Sequence, residues 1–348
     1  MADHSKIEWT EATWNPIAGC SIVSPGCTNC YAMRRVAPRL SANPATPHYH
    51  GTIQSSKAGP VWTGKIGIAG DRVLLAPLTW TRPRMVFVNS TSDLFHPDVP
   101  DEVIDRVFAV MGLAHWHTYQ VLTKRPERMR QYFAETWQVP ARPAERILDL
   151  DIPAQEARIE DRWDQINAAV DDVTDRGGKL FDHDRFWTKE GDLIGRPAWP
   201  HRPLPNVWLG TSVEDQRRAD ERIPHLLQTP AAVRFISAEP LLGPIDLTHL
   251  QLEGGLSWNA LGRLAGLHWV IVGGESGNGA RPMHTEWARS LRDQCSTAGV
   301  PYFFKQWGVW APDGDLADGG ERFQLVGKKA AGRLLDGIEH NAFPEIRP

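Results

Sequence analysis

Short apolar runs without polar alternation recur along the chain. They are MVFV (Met85 to Val88), TYQVL (Thr118 to Leu122), NVWLG (Asn206 to Gly210), VRFIS (Val233 to Ser237), HWVIVG (His268 to Gly273) and PYFFK (Pro301 to Lys305). Runs of this length and texture predict strands buried on both faces, as in parallel sheets. Helical spacing separates them. DEVIDRVFAVMGLA, within Pro100 to Ala114, opens on an acidic first turn, and Thr285 to Ala298 is closed by Gly299. Strands alternating with helices imply right-handed βαβ crossovers. With an early strand near Lys6 to Trp14, the pattern predicts an α/β fold: a partial or near-complete parallel (β/α) barrel of six or seven units, forming one domain over 1–348.

Two stretches break the rhythm. Residues 41–83 read as an irregular insertion before the first clear run. Residues 136–205 hold an acidic, arginine-rich helix candidate, PAQEARIEDRWDQINAAVDDVTDR, followed by GDLIGRPAWPHRPLPN. Loops beyond about 15 residues usually carry structure or function of their own, so this segment reads as an insertion between barrel units, either a docked solvated helix or a lid. Residues 309–348 read as a C-terminal extension. No internal repeat is present.

Each strand candidate runs into polar or charged residues at its C-terminal end. These are Asn89 to Asp93, Thr123 to Arg125, Thr211 to Asp215, Ala238 to Pro240, Gly274 to Gly277 and Gln306 to Gly308. In parallel barrels the βα loops converge at that face and hold the ligand. Any single Asp, Ser or Glu there also reads as a helix cap, as with Asp93, Ser212 and Glu214. Their recurrence predicts a polar bowl.

Composition narrows the class. The 348 residues are 41% hydrophobic, enough for a substantial core. The formal charge of -4 carries no whole-chain signature of nucleic acid or anionic membrane. A polynucleotide partner would therefore need a local patch. Neither a signal pattern in MADHSKIEWTEATW nor an apolar run of about 18 residues is present. The expectation is a soluble, cytoplasmic protein with no membrane association.

Three of the four cysteines crowd into WNPIAGCSIVSPGCTNCYAMRRVAPRL: Cys20, Cys27 and Cys30. Four cysteines with three of them crowded together argue against a secreted disulfide framework and for reduced thiols. A closed structural zinc site takes four protein ligands, whereas a cubane iron–sulfur cluster held by three thiolates keeps one iron open to a small molecule. The C-x6-C-x2-C spacing therefore points first to a 4Fe-4S cluster. A zinc ion completed by Cys295, His48 or His50, and the absence of any metal, remain open readings.

Cys20-x6-Cys27-x2-Cys30 followed by Tyr31, after the first unit of a βα barrel, resembles the cluster loop of the radical S-adenosylmethionine superfamily. The order TSDLFHPDVPDEVIDRVFAVM, YQVLTKRPERM, VWLGTSVEDQRRADERIPHLL and VRFISAEPLLGPI is similar to spore photoproduct lyase and its relatives. Further likeness, to phage and bacterial three-cysteine-motif proteins, rests on WNP, the cysteine loop, TSDLFH, LTKRP, S-AEPLLGP, VGGESG-x2-ARPM, FFKQWG and KKAAGRLLDG. The chain departs from the superfamily loop, which spaces its first two cysteines three apart and places an aromatic residue before the last. Here the gap is six and Asn29 precedes Cys30, so Tyr31 is the candidate for the missing packing. The superfamily's GGE element follows its second strand, but Gly273-Gly274-Glu275 follows a late one.

The resemblance implies a radical S-adenosylmethionine-like barrel that binds S-adenosyl-L-methionine at the open iron. An electron donor such as flavodoxin or ferredoxin reduces the cluster, and cleavage gives a 5'-deoxyadenosyl radical. Ser90, Ser92 and Asp93 take the place of the methionine-binding element, with Glu239 and Glu275 as further candidates for amino or ribose groups. Gly273 and Gly274 either let backbone approach a ligand or turn the chain. Cys295 reads as a buried thiol on a helix face or a hydrogen-atom donor. Lys124, Arg125, Arg128 and Arg130, with Arg34, Arg35 and Arg39, are candidates for a positive rim, and 15 Trp offer stacking surfaces. The expected function is modification or repair of a nucleic acid or nucleotide (DNA or RNA) by a lyase or transferase. The alternatives are a peptide or small-metabolite substrate, and a non-enzymatic nucleic-acid-binding protein, or one dependent on a partner protein, whose cluster or zinc is structural.

Overall fold

A computed structural model describes residues 5–140, 145–147, 150–152, 156–189, 191–194, 202–252, 254–262, 266–315 and 320–345. Seven strands form one parallel sheet: β1 (Ala12–Trp14), β2 (Met85–Val88), β3 (Thr118–Thr123), β4 (Val207–Ser212), β5 (Val233–Ala238), β6 (Trp269–Gly273) and β7 (Tyr302–Gln306). They lie side by side in chain order, as expected when each is followed by a crossover back to the same edge. β1 and β7 do not pair with each other among the described residues. The sheet is a curled half-barrel.

Alternation along each strand sorts two faces. Val86, Val88, Tyr119, Val121, Leu209, Ile236, Val270, Val272 and Phe304 share the main core with residues from five helices. Those helices are α1 (Asp101–Leu113), α2 (Pro126–Ala134), α3 (Arg162–Gly177), α4 (Gln216–Leu227) and α5 (Thr285–Ala298). The opposite, concave face carries an aromatic floor of Trp9, Trp208, Phe235, Trp269 and Phe303. Gly210 is required there. A Cβ on it would stand 2.6 Å from the Phe235 ring.

β1 is shorter than the Lys6 to Trp14 expectation. Residues before it turn, with Thr10 N–H donating to Ile7 O at 3.2 Å, and Trp9 swings into the floor against Phe87 at 4.7 Å. The helix candidate in 136–205 divides: Arg158–Asp161 pairs antiparallel with Thr136–Val139, and α3 starts only at Arg162. Asp161 supplies the reason, because its side chain caps the backbone N–H groups of Trp163 and Asp164. Arg162 then docks the segment, donating to Asp105 at 3.2 Å and Asp101 at 2.9 Å between the rings of Tyr132 and Trp137. Residues 195–201 of that segment, and 346–348 of the extension, lie outside the described residues.

The 41–83 region contains a hairpin, Ile53–Ser56 with Gly59–Trp62. Its Trp62 joins Ala18, Met33 and Tyr49 in a small core against which Cys20 and Cys30 pack. In the C-terminal extension, Asp336 accepts hydrogen bonds from Arg289 and Arg292 of α5. No helix among the described residues is long and apolar enough to cross a membrane.

Candidate functional site: a cysteine loop clamped by three carboxylates

The loop leaves β1 and crosses the C-terminal end of the sheet, where Gly19 bridges to Ser92 beyond β2. A short turn, Pro25–Cys27, places Cys27, and Cys30 precedes a π segment, Ala32–Val36, that runs into the helix Ala37–Ser41. All three thiols are free. Cys20 and Cys30 pack against the same small core, and Cys30 N–H donates to Cys27 O at 3.2 Å, which keeps the three on one side of the loop's short turn.

Buried carboxylates after β2, β4 and β6 each hold a different part of the loop. Asp93 accepts from Thr123 Oγ1 at 2.7 Å and from Arg125 Nη1 at 2.7 Å. That guanidinium also donates to Ser21 Oγ at 2.7 Å and lies 3.8 Å from Cys20 Sγ. Glu214, fully shielded from solvent, accepts from Ser24 Oγ at 2.5 Å, Lys124 Nζ at 2.6 Å and Arg222 Nη1 at 3.0 Å. The loop approaches so closely that a Cβ on Gly26 would meet Glu214 Oε1 at 2.3 Å. Glu275 accepts from Asn29 Nδ2 at 3.1 Å and from Arg281 Nε and backbone N–H, each at 2.9 Å, while Arg281 Nη2 donates to Pro25 O at 3.0 Å.

Burial pushes the Cys20 thiol up to about 12, and Asp93 adds to the rise while Arg125 opposes it. Burial also raises Cys30, against the backbone N–H groups of Met33 and Ala32 that donate to its sulfur. Cationic and N–H donors aimed at two sulfurs suit thiolate ligands. The third is different: Cys27 Sγ lies 3.8 Å from Ser24 Oγ, whose proton is committed to Glu214. The donor set fits an iron–sulfur cluster held by Cys20, Cys27 and Cys30. Among the described residues, no three His, Cys, Asp or Glu side chains stand close enough to share one ion. Single zinc would draw each sulfur to about 2.3 Å, closer together than a polynuclear cluster requires. The expected fourth zinc ligands are engaged elsewhere. Cys295 is in the main core, His50 bonds Asn43 O at 3.3 Å, and His48 packs on Tyr49.

Residues 4–344 match a family model described as "Protein of unknown function (DUF5131)". The chain belongs to the DUF5131 family. No curated protein and no solved structure matches it.

In this DUF5131 chain several residues expected to meet a ligand serve the protein instead. Lys124, Arg125 and Arg128 do not form a free phosphate rim, because each is paired to a carboxylate, Glu214, Asp93 and Asp101 respectively. Ser90 donates to Asn15 Oδ1 at 3.1 Å and Ser92 to Ile17 O at 2.8 Å. Asp93 spends its oxygens on Phe95, Thr123, Lys124 and Arg125, and Glu275 spends its own on Asn29 of the loop and on Arg281. Tyr31 does not pack where an aromatic was expected; the residue is 63% exposed, since the turn after Cys30 buries Ala32 and Met33 instead. Gly274 is explained by packing, as a Cβ would stand 1.9 Å from Trp307 O. Gly273 faces the half-buried Glu239, whose carboxylate takes Lys305 Nζ at 2.6 and 2.8 Å on the concave face. Lys305, Glu214, Ser24 and Arg281 were missed as site residues. The available signal was their position at strand ends or inside the loop.

For Glu214, burial would raise the pKa, but Lys124 and Arg222 overcome it and the net shift is downward. For Glu275, burial is likewise outweighed, by the hydrogen bonds of Arg281 and Asn29. A depressed folded pKa contributes stability above the unfolded value, about 4.3, and that stability is lost as pH falls through the folded pKa. Urea unfolding from pH 7 to pH 3 should thus show a decline below about pH 4, and Glu275→Gln should be less stable at neutral pH with a shallower decline. An identical pH slope in the variant would remove Glu275 from this account.

Proposed function

We propose that the protein is an iron–sulfur enzyme of radical S-adenosylmethionine type that modifies or repairs a nucleic acid or nucleotide. The observation that carries the reading is the placement of three free cysteines in the loop after β1, at the C-terminal mouth of a parallel half-barrel. When bound, the cluster supplies one electron for reductive cleavage of the sulfonium C–S bond, giving methionine and a 5'-deoxyadenosyl radical. The chain's part is to bind, orient and exclude water. Cys20, Cys27 and Cys30 hold the cluster, and the carboxylate clamps fix the loop. Glu239 and Lys305, paired with each other at 2.6 and 2.8 Å, stand on the concave face, where a polar ligand group would have to exchange with that pair. The aromatic floor closes the bowl from below.

The engagement of Asp93 by Arg125 and of Glu275 by Asn29 and Arg281 favours a second reading, in which the cluster is structural and the protein only binds nucleic acid. One experiment separates them. Protein purified anaerobically should be brown with about four irons per chain, and reduction with S-adenosylmethionine should release 5'-deoxyadenosine. Brown protein that releases none supports the structural cluster. Colourless protein with one zinc overturns both iron readings.

A further inference from the structure

We propose that the lobe between the cysteine loop and β2, residues 34–84, grips the phosphate backbone of a nucleic acid. Arg35, Arg39, Lys57, Lys65, Arg72 and Arg82 are all exposed, and none has a carboxylate partner among the described residues. The acid within this span, Asp71, is engaged by Arg176 of α3 at 3.0 Å. Elsewhere many cations are paired, as with Arg217 and Glu221 or Arg281 and Glu275, and exposed ones without a carboxylate partner among the described residues, such as Lys6, Lys179 and Arg322, are scattered along the chain. In a protein of formal charge -4, residues 34–84 thus carry six such cations and a single acid that is already engaged. Such a patch is the electrostatic footprint of a polyanion.

The lobe is joined to the cysteines. Arg34 Nη2 donates to Thr28 O at 3.0 Å, between Cys27 and Cys30, while its Nη1 donates to Ala58 O at the hairpin tip beside Lys57. Arg35 and Arg39 lie four residues apart on the helical segment leaving Cys30. Tyr31 starts that segment with its ring in solvent, a surface on which a base can stack. The exposed hairpin residues Gln54, Ser55 and Ser56 are polar, which suits a phosphate backbone better than insertion into lipid. This inference rests on the nucleic-acid half of the proposed function and not on its cofactor half.

The test is fluorescence anisotropy of the full chain with labelled single-stranded DNA, single-stranded RNA and duplex DNA across a salt series. For a single strand each phosphate contact contributes about 0.7 to the salt slope, so four contacts give about 3. The quadruple variant R35Q/R39Q/K57Q/K65Q should lose most of that slope and bind at least about tenfold more weakly at low salt. Arg217→Gln, on α4, should change neither, and melting curves verify that the variants are folded. Unchanged binding in the quadruple variant overturns the inference, as does binding by the parent to vesicles with anionic headgroups but to no nucleic acid. Assaying 5'-deoxyadenosine without nucleic acid on the same preparations distinguishes failure of the lobe from failure of the cofactor reading.

Discussion

Cys27→Ala should abolish the brown colour and all 5'-deoxyadenosine formation together, while Cys295→Ala should leave both in place. Cys27 is buried at the centre of the loop, and three thiolates are the minimum that holds a cubane with one open iron. Cys295 is fully buried in the main core on α5, its thiol pushed by burial up to about 12. It has the setting of an inert core thiol rather than a ligand or hydrogen donor. Iron content and product assay on both variants check the pair. Equal loss of iron in Cys295→Ala would reinstate a four-cysteine site.

The second large effect is expected at Glu214. Glu214→Ala would strand Lys124 and Arg222 in a half-buried setting and free Ser24, and breaking a buried ion pair by removing one partner costs about 3–5 kcal/mol. Glu214→Gln keeps the volume and should fall between parent and Ala variant. Gly26→Ala should act in the same direction by a different route, since the added methyl displaces the carboxylate without altering any charge. Denaturant unfolding gives the stabilities, and limited proteolysis reports whether residues 20–30 open. A Glu214→Ala variant as stable as the parent, with a protected loop, would show that the other two clamps suffice.

The strands of this fold were legible because nearly every one is buried on both faces. MVFV coincides with β2, and the later runs differ from β3 to β7 by one or two residues at their ends. β1 was misjudged because Trp9 satisfies the concave floor, not the sheet. The cysteines were legible from spacing alone. Their supports were not, for a reason of distance along the chain: Asn29 and Glu275 are separated by 246 residues, and Ser24 and Glu214 by 190. Lys124 and Arg125 show the same limit. A cation after a strand looks identical in sequence whether its partner is a phosphate or a carboxylate after the neighbouring strand. The unpaired cations of 34–84 became distinguishable only once the paired ones could be subtracted.

The three clamps also bear on how the protein is assembled in time. Where the metal is the main bond holding a small domain together, apo chains are unfolded and loading is folding. Here Glu214 and Glu275 hold Ser24 and Asn29 of the loop directly, and Asp93 holds Ser21 through Arg125, all by bonds among protein groups alone. On the proposed iron–sulfur reading, biogenesis and cofactor delivery are then separable events: the chain would complete its half-barrel first and accept a cluster later. Oxidative loss of that cluster would then leave a refillable protein rather than a substrate for degradation.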